Sequence, residues 1–107
     1  MAEKIKLVQG DTKPQVQFTI KQNESPIDIS SATVTLHFRA VGSTTTLFSR
    51  QMVITDGSAG LATVVWQSTD LNQDAGDYEG EIEVVFDDST RQTIFDPIKF
   101  KIREDFA

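Results

Sequence analysis

Residues 74–86 read DAGDYEGEIEVVF, and this stretch decides the fold. From Tyr78 onward every second position is apolar or small: Tyr78, Gly80, Ile82, Val84 and Phe86. The positions between them hold Glu79, Glu81, Glu83 and Val85. Side chains two apart on a strand share a face, so this period puts an oily row on one side and three carboxylates on the other. A helix would scatter both sets around its circumference.

Working outward, the same period recurs in short blocks separated by turn residues, and no block carries a helical stripe of useful length. KIKLV, from Lys4, sets Ile5 and Leu7 against Lys4 and Lys6, and lysines on a first strand blunt a sheet edge. PQVQFTIK, from Pro14, turns Val16, Phe18 and Ile20 inward. Asn23, Glu24, Ser25 and Pro26 then break it. ATVTLHFRA, from Ala32, alternates almost without fault, with Val34, Leu36, Phe38 and Ala40 facing in and Thr33, Thr35, His37 and Arg39 facing out. LFSRQMVI from Leu47 and LATVVW from Leu61 give a fourth and a fifth strand whose facing is ambiguous. After the sixth strand, which is the opening stretch, a DDS turn leads to TRQTIFDPIKFKI from Thr90. Pro97 cannot donate to a ladder, so this seventh strand is expected at an edge or with a bulge there.

Seven strands in this length predict an all-β fold, an immunoglobulin-like two-sheet antiparallel β-sandwich, as a single domain over residues 1–107. Asp74, Gly76 and Tyr78 sharpen the choice. In such sandwiches a Tyr at the start of the sixth strand turns its hydroxyl back to the backbone a few residues upstream. STDLNQDAG, just before, suits the short helical turn of such a corner. The chain has no cysteine, so the corner and the apolar core must hold the sheets together.

Ten Lys plus Arg against sixteen Asp plus Glu give a net charge of −6, which argues against nucleic acid or an anionic membrane as partner. No stretch approaches a membrane span in length, and the N-terminal residues lack the apolar run of a signal peptide.

Glu79, Glu81 and Glu83 invite an acid/base or metal reading. On a strand they project from one face roughly 6–7 Å apart, with nothing that draws them into a pocket. If the sixth strand lies between the third and the seventh, His37 and Arg39 approach the row from one side and Lys99 from the other, His37 nearest Glu81, as a solvated, salt-laced face. His37 is the only histidine, and no nucleophile-elbow, zinc-helix or phosphate-loop motif occurs. The expectation is therefore no catalytic residues, no metal and no cofactor. The loop acids leave one alternative, calcium at either end of the sandwich, in Glu24, Asp28, Asp56, Asp87 and Asp88 or in Asp11, Asp70, Asp74 and Asp77, although no loop has the spaced ligand pattern that calcium takes. One uncharged outward patch remains, Thr33, Val85, Thr93 and Phe95, and it is a candidate interface.

With the strands in place, the chain resembles the N-terminal domain of phage baseplate upper proteins and, more loosely, other immunoglobulin-like modules of tailed-phage particles. The resemblance is carried by LVQGDTKP at 7–14, PIDISSATVTLHFR at 26–39, DGSAGLATVVW at 56–66 and DLNQDAGDYEGEIEV at 70–84. It implies a structural virion protein, made in the host cytoplasm, that docks onto other phage virion proteins or copies of itself in a baseplate, tail, neck or capsid setting. In that family the domain heads a longer chain, so ending at Ala107 fits either an excised domain or a small accessory protein. The reading from a different class is an adhesive module for carbohydrate or a cell surface, assisted by calcium. One Trp and one Tyr, both better placed in a core, offer that reading little.

Overall fold

The computed structural model describes residues 4–94 and 97–106 and is almost entirely β. Its strands in chain order are β1 (Ile5–Val8), β2 (Val16–Thr19), β3 (Lys21–Gln22), β4 (Ser25–Pro26), β5 (Thr33–Ala40) and β6 (Phe48–Gln51). They are followed by β7 (Val53–Asp56), β8 (Leu61–Val64), β9 (Gly76–Val85), β10 (Arg91–Thr93) and β11 (Ile98–Arg103). One sheet runs β1-β11-β9-β5-β6, with β10 also paired to β9. The second runs β2-β8-β7, and β3 with β4 makes a small hairpin. The hairpin turns at Asn23 and Glu24, both with positive φ, a combination that matches the twist of the strands it joins.

The two faces of β9 follow the sequence period. Tyr78, Ile82 and Val84 are buried, whereas Glu81 is exposed and Glu79, Glu83 and Val85 are half-buried. On β5, Val34, Leu36 and Phe38 are wholly buried. Phe38 is the hub of an aromatic cluster: it stacks on Phe48 at 4.8 Å and Tyr78 at 5.3 Å, and meets Phe100 at 5.1 Å and Trp66 at 5.9 Å. Gly80 makes room for this packing. A Cβ there would lie 2.7 Å from Leu36 Cδ1 and 2.9 Å from Phe100 Cε2. From the second sheet come Ala62 and Val64, and from just beyond β8 Trp66, whose indole N–H donates to Pro14 O at 2.9 Å.

Three features depart from the sequence expectation. The block from Leu47 is two strands in different sheets: Met52 still donates its N–H to Val34 O at 2.7 Å, but Val53 pairs with Thr63 across the sandwich. Its alternation looked blurred because the inward position between Phe48 and Met52 is taken by Arg50. The block from Thr90 is likewise two strands on the same edge of β9. Thr93 pairs with Glu83 and Ile98 with Gly80, so five residues advance against three between the two pairings. Nor is the sandwich wholly antiparallel, because β1 pairs with β11 in parallel and thereby makes β11 an interior strand.

Candidate functional site

The outer face of the larger sheet gathers most of the residues singled out from the sequence. β9 lies between β5 on one edge and β10 with β11 on the other, so its glutamates have neighbours on both sides. Arg39 Nε donates to Glu79 Oε2 at 2.8 Å. His37 stands opposite Glu81 in register, yet its Nε2 reaches Glu83 Oε1, 3.0 Å away. Diagonal neighbours on a twisted sheet come within reach of long side chains, so the directly opposite residue need not win. From the other edge the cation that arrives is Arg91, whose Nη1 donates to Glu83 Oε2 at 3.1 Å. Lys99 stands opposite Glu79, whose carboxylate is taken by Arg39. The His37 bond, and then the charge of Arg91, hold the Glu83 carboxyl below its ordinary range.

His37 also lies 2.7 Å from Ser49 Oγ through its Nδ1. A carboxylate only accepts, so Nε2 carries the proton toward Glu83, while Nδ1 shares a hydrogen bond with the Ser49 hydroxyl. Hydroxyl, imidazole and carboxylate thus stand in line across β6, β5 and β9. Sequence reasoning passed over Ser49 because only the pairing of β6 with β5 places it beside His37. Acyl transfer would also require donors converging on a bound substrate's oxyanion. Ser49 is exposed on an edge strand and takes no part in the adjoining groove of about 220 Å³, which His37, Arg39, Thr46, Glu79, Gly80, Glu81 and Pro97 line. The chain of bonds is suited to fixing His37 on the sheet surface.

The uncharged candidate residues lie on the same face nearer one end. Val85 is half-buried between Thr33 on β5 and Arg91 on β10, and Thr93 stands beside Glu83. Phe95 lies outside the described residues.

At the corner, the Tyr78 hydroxyl donates to Asp74 O at 2.5 Å, and Gly76 opens β9 two residues earlier. Burial, with the nearby Asp74 charge second, raises the Tyr78 phenol above its usual value. The preceding segment makes two overlapping turns, Asp70 N–H to Gln67 O at 3.0 Å and Asn72 N–H to Thr69 O at 3.2 Å. Asp70 itself is the residue least legible from sequence. Its side chain is 2 % exposed and accepts from Arg50 Nε at 2.9 Å, from Arg50 Nη2 at 2.5 Å and from Gln67 N–H at 2.7 Å. This fork joins an inward position of β6, in the larger sheet, to the loop that crosses from β8 of the second sheet to β9, and so ties the crossover between the sheets.

The remaining loop acids have local uses. Asp28 accepts from Ser30 N–H and Oγ, and Asp88 from Thr90 N–H and Oγ1, which keeps both carboxyls below the ordinary Asp value. Asp77 is lowered by its bond to Lys4 at 2.9 Å, with Lys101 further off at 3.9 Å. Among the described residues no three His, Asp or Glu side chains are placed to share a metal ion. Trp66 and Tyr78 are buried, so neither offers the open ring on which a sugar stacks.

Comparison with curated proteins gives no match. The family model of the BppU N-terminal domain matches residues 1–106, and the chain therefore belongs to that family, the N-terminal domain of phage baseplate upper proteins.

Proposed function

We propose that this domain is a non-catalytic structural module of a tailed-phage particle, located in the virion, where it docks onto other virion proteins. The observation that carries the reading is the family match over residues 1–106. The outer sheet face supports it: two of the three glutamates that could have served chemistry, Glu79 and Glu83, are engaged by Arg39, His37 and Arg91 on an open surface. Residues 1–107 act as one immunoglobulin-like unit, held at the corner by Asp74, Gly76 and Tyr78. Thr33, Val85 and Thr93 supply an uncharged contact patch beside the charged residues of that face, and uncharged patches lose least on desolvation.

The test is sedimentation of the purified domain with phage particles assembled without it. Saturable recovery in the particle pellet is expected, reduced by Val85→Asp and by Thr33→Arg with the fold intact. A domain that stays in the supernatant at all concentrations refutes docking, and binding indifferent to both substitutions refutes the patch.

A further inference from the structure

We propose that the free edge of β1 is a docking edge for an extended, carboxylate-bearing segment of a partner protein. This deepens the docking reading above and rests on it. β1 closes the larger sheet, and among the described residues only β11 pairs with it. Unpaired main-chain groups along such an edge are a template for one more strand.

The side chains determine what kind of strand that is. Lys4 just before β1, Lys6 on it, and Lys99, Lys101 and Arg103 on β11 are exposed, alternating with inward Ile5, Leu7, Phe100 and Ile102. Half of the ten Lys and Arg side chains of a chain with net charge −6 thus stand on, or just before, two adjacent strands. Lysines that guard an edge account for Lys4 and Lys6. They do not account for Lys99 and Lys101, which sit on an interior strand.

The parallel register puts Lys6 directly opposite Lys101, an arrangement of like charges that weakens a sheet. Asp77 answers only part of it, through Lys4 and Lys101, while Lys6 and Lys99 have no ion pair among the described residues. A second copy offering its own β1 would bring lysine against lysine, so the edge excludes itself as a partner. Carboxylates at alternate positions of an incoming strand would instead repeat roughly every 7 Å, the spacing of Lys4 and Lys6. Nucleic acid fits less well, because the strip is short, holds Asp77 and belongs to an acidic molecule.

The probe is a short synthetic peptide alternating Thr and Glu, titrated into the isotope-labelled domain and followed by amide chemical shifts. Saturable shifts confined to Ile5–Val8 and Ile98–Arg103, weakening as salt is added, are expected. Lys6→Glu/Lys101→Glu weakens binding by on the order of tenfold or more and gains affinity for an alternating Thr-Lys peptide. Lys6→Gln/Lys101→Gln, a milder change, weakens the Glu peptide without that gain. The proposal is overturned if a Thr-Gln peptide binds equally well, if the shifts fall on the opposite edge at Phe48–Gln51, or if a single-stranded oligonucleotide of equal charge binds more tightly. If the Lys6→Glu/Lys101→Glu domain pellets undiminished with particles, the edge is overturned while docking stands. If the peptide binds the edge but the domain never pellets, docking fails and the edge chemistry stands.

Discussion

Replacing Asp70 by Asn tests the brace between the sheets with almost no change of shape. The Asp70 carboxylate is 2 % exposed and receives three N–H donors, two of them from the charged Arg50. Asn keeps one acceptor oxygen but turns an NH2 toward a guanidinium, which can only donate. Removing one member of a fully buried ion pair costs about 3–5 kcal/mol. Arg50 is 29 % exposed and can recover some hydration, so the expected loss is smaller, about 2–4 kcal/mol. At the usual unfolding entropy per residue, this lowers Tm by roughly 9–18 °C for a chain of this length. Thermal and urea unfolding followed by circular dichroism would measure it. Arg50→Met and the double variant Arg50→Met/Asp70→Asn complete a cycle in which the double variant loses less than the sum of the singles. A loss under about 1 kcal/mol for D70N, or an additive cycle, would show that the fork is ornamental and that hydrophobic packing alone joins the sheets.

Four further outcomes follow from the core and the outer face. Tyr78→Phe removes the bond to Asp74 O and should cost about 1 kcal/mol with the sheets intact; an unmoved urea midpoint would deny the corner its role. Because Tyr78 is the only tyrosine and burial raises its phenol, ultraviolet titration of the native protein should show a midpoint above about 10. A group with a raised folded pKa contributes stability that is complete below its unfolded value, so stability should fall as pH climbs through that midpoint. Gly80→Ala drives a methyl onto Leu36 and Phe100 and should destabilise by about 1–3 kcal/mol, partly relieved by Leu36→Val; a neutral G80A would mean that the core yields more easily than its packing suggests. The Glu83 carboxyl is lowered by His37 and Arg91, so its contribution is full above the ordinary Glu value and lost as pH falls through the lower folded one. The melting difference between wild type and Glu83→Gln should accordingly shrink on acidification from about pH 7 to about pH 3, and a constant difference would refute the ion pairing.

The two cleanest strands could be read directly. In β5 and β9 the period of two is written in residues whose solvation differs sharply, so Val34, Leu36, Phe38, Ile82 and Val84 had only one face on which they could be buried. The hydrogen bond from the Tyr78 hydroxyl to Asp74 O spans only four residues, a separation that a local reading of the chain can reach. The glutamate row was correctly placed on the wet face, but not its partners. Which cation meets which carboxylate depends on twist and on the register change between β10 and β11, and so Arg91 holds a place that Lys99 was expected to share.

By itself, then, the sequence determined the all-β class, the inward faces of β5 and β9 and the chain turn before Tyr78, because each rests on near-neighbour periodicity and on the contrast between apolar and charged side chains. Only the tertiary structure decided that Arg50 turns inward to Asp70, that residues 48–56 divide between two sheets, that Ser49 meets His37, and that β1 runs parallel to β11 with Lys6 opposite Lys101. Those pairings join residues as far as 95 positions apart. A local pattern tells a side chain which way to face, whereas its neighbour is chosen by the packing of the whole.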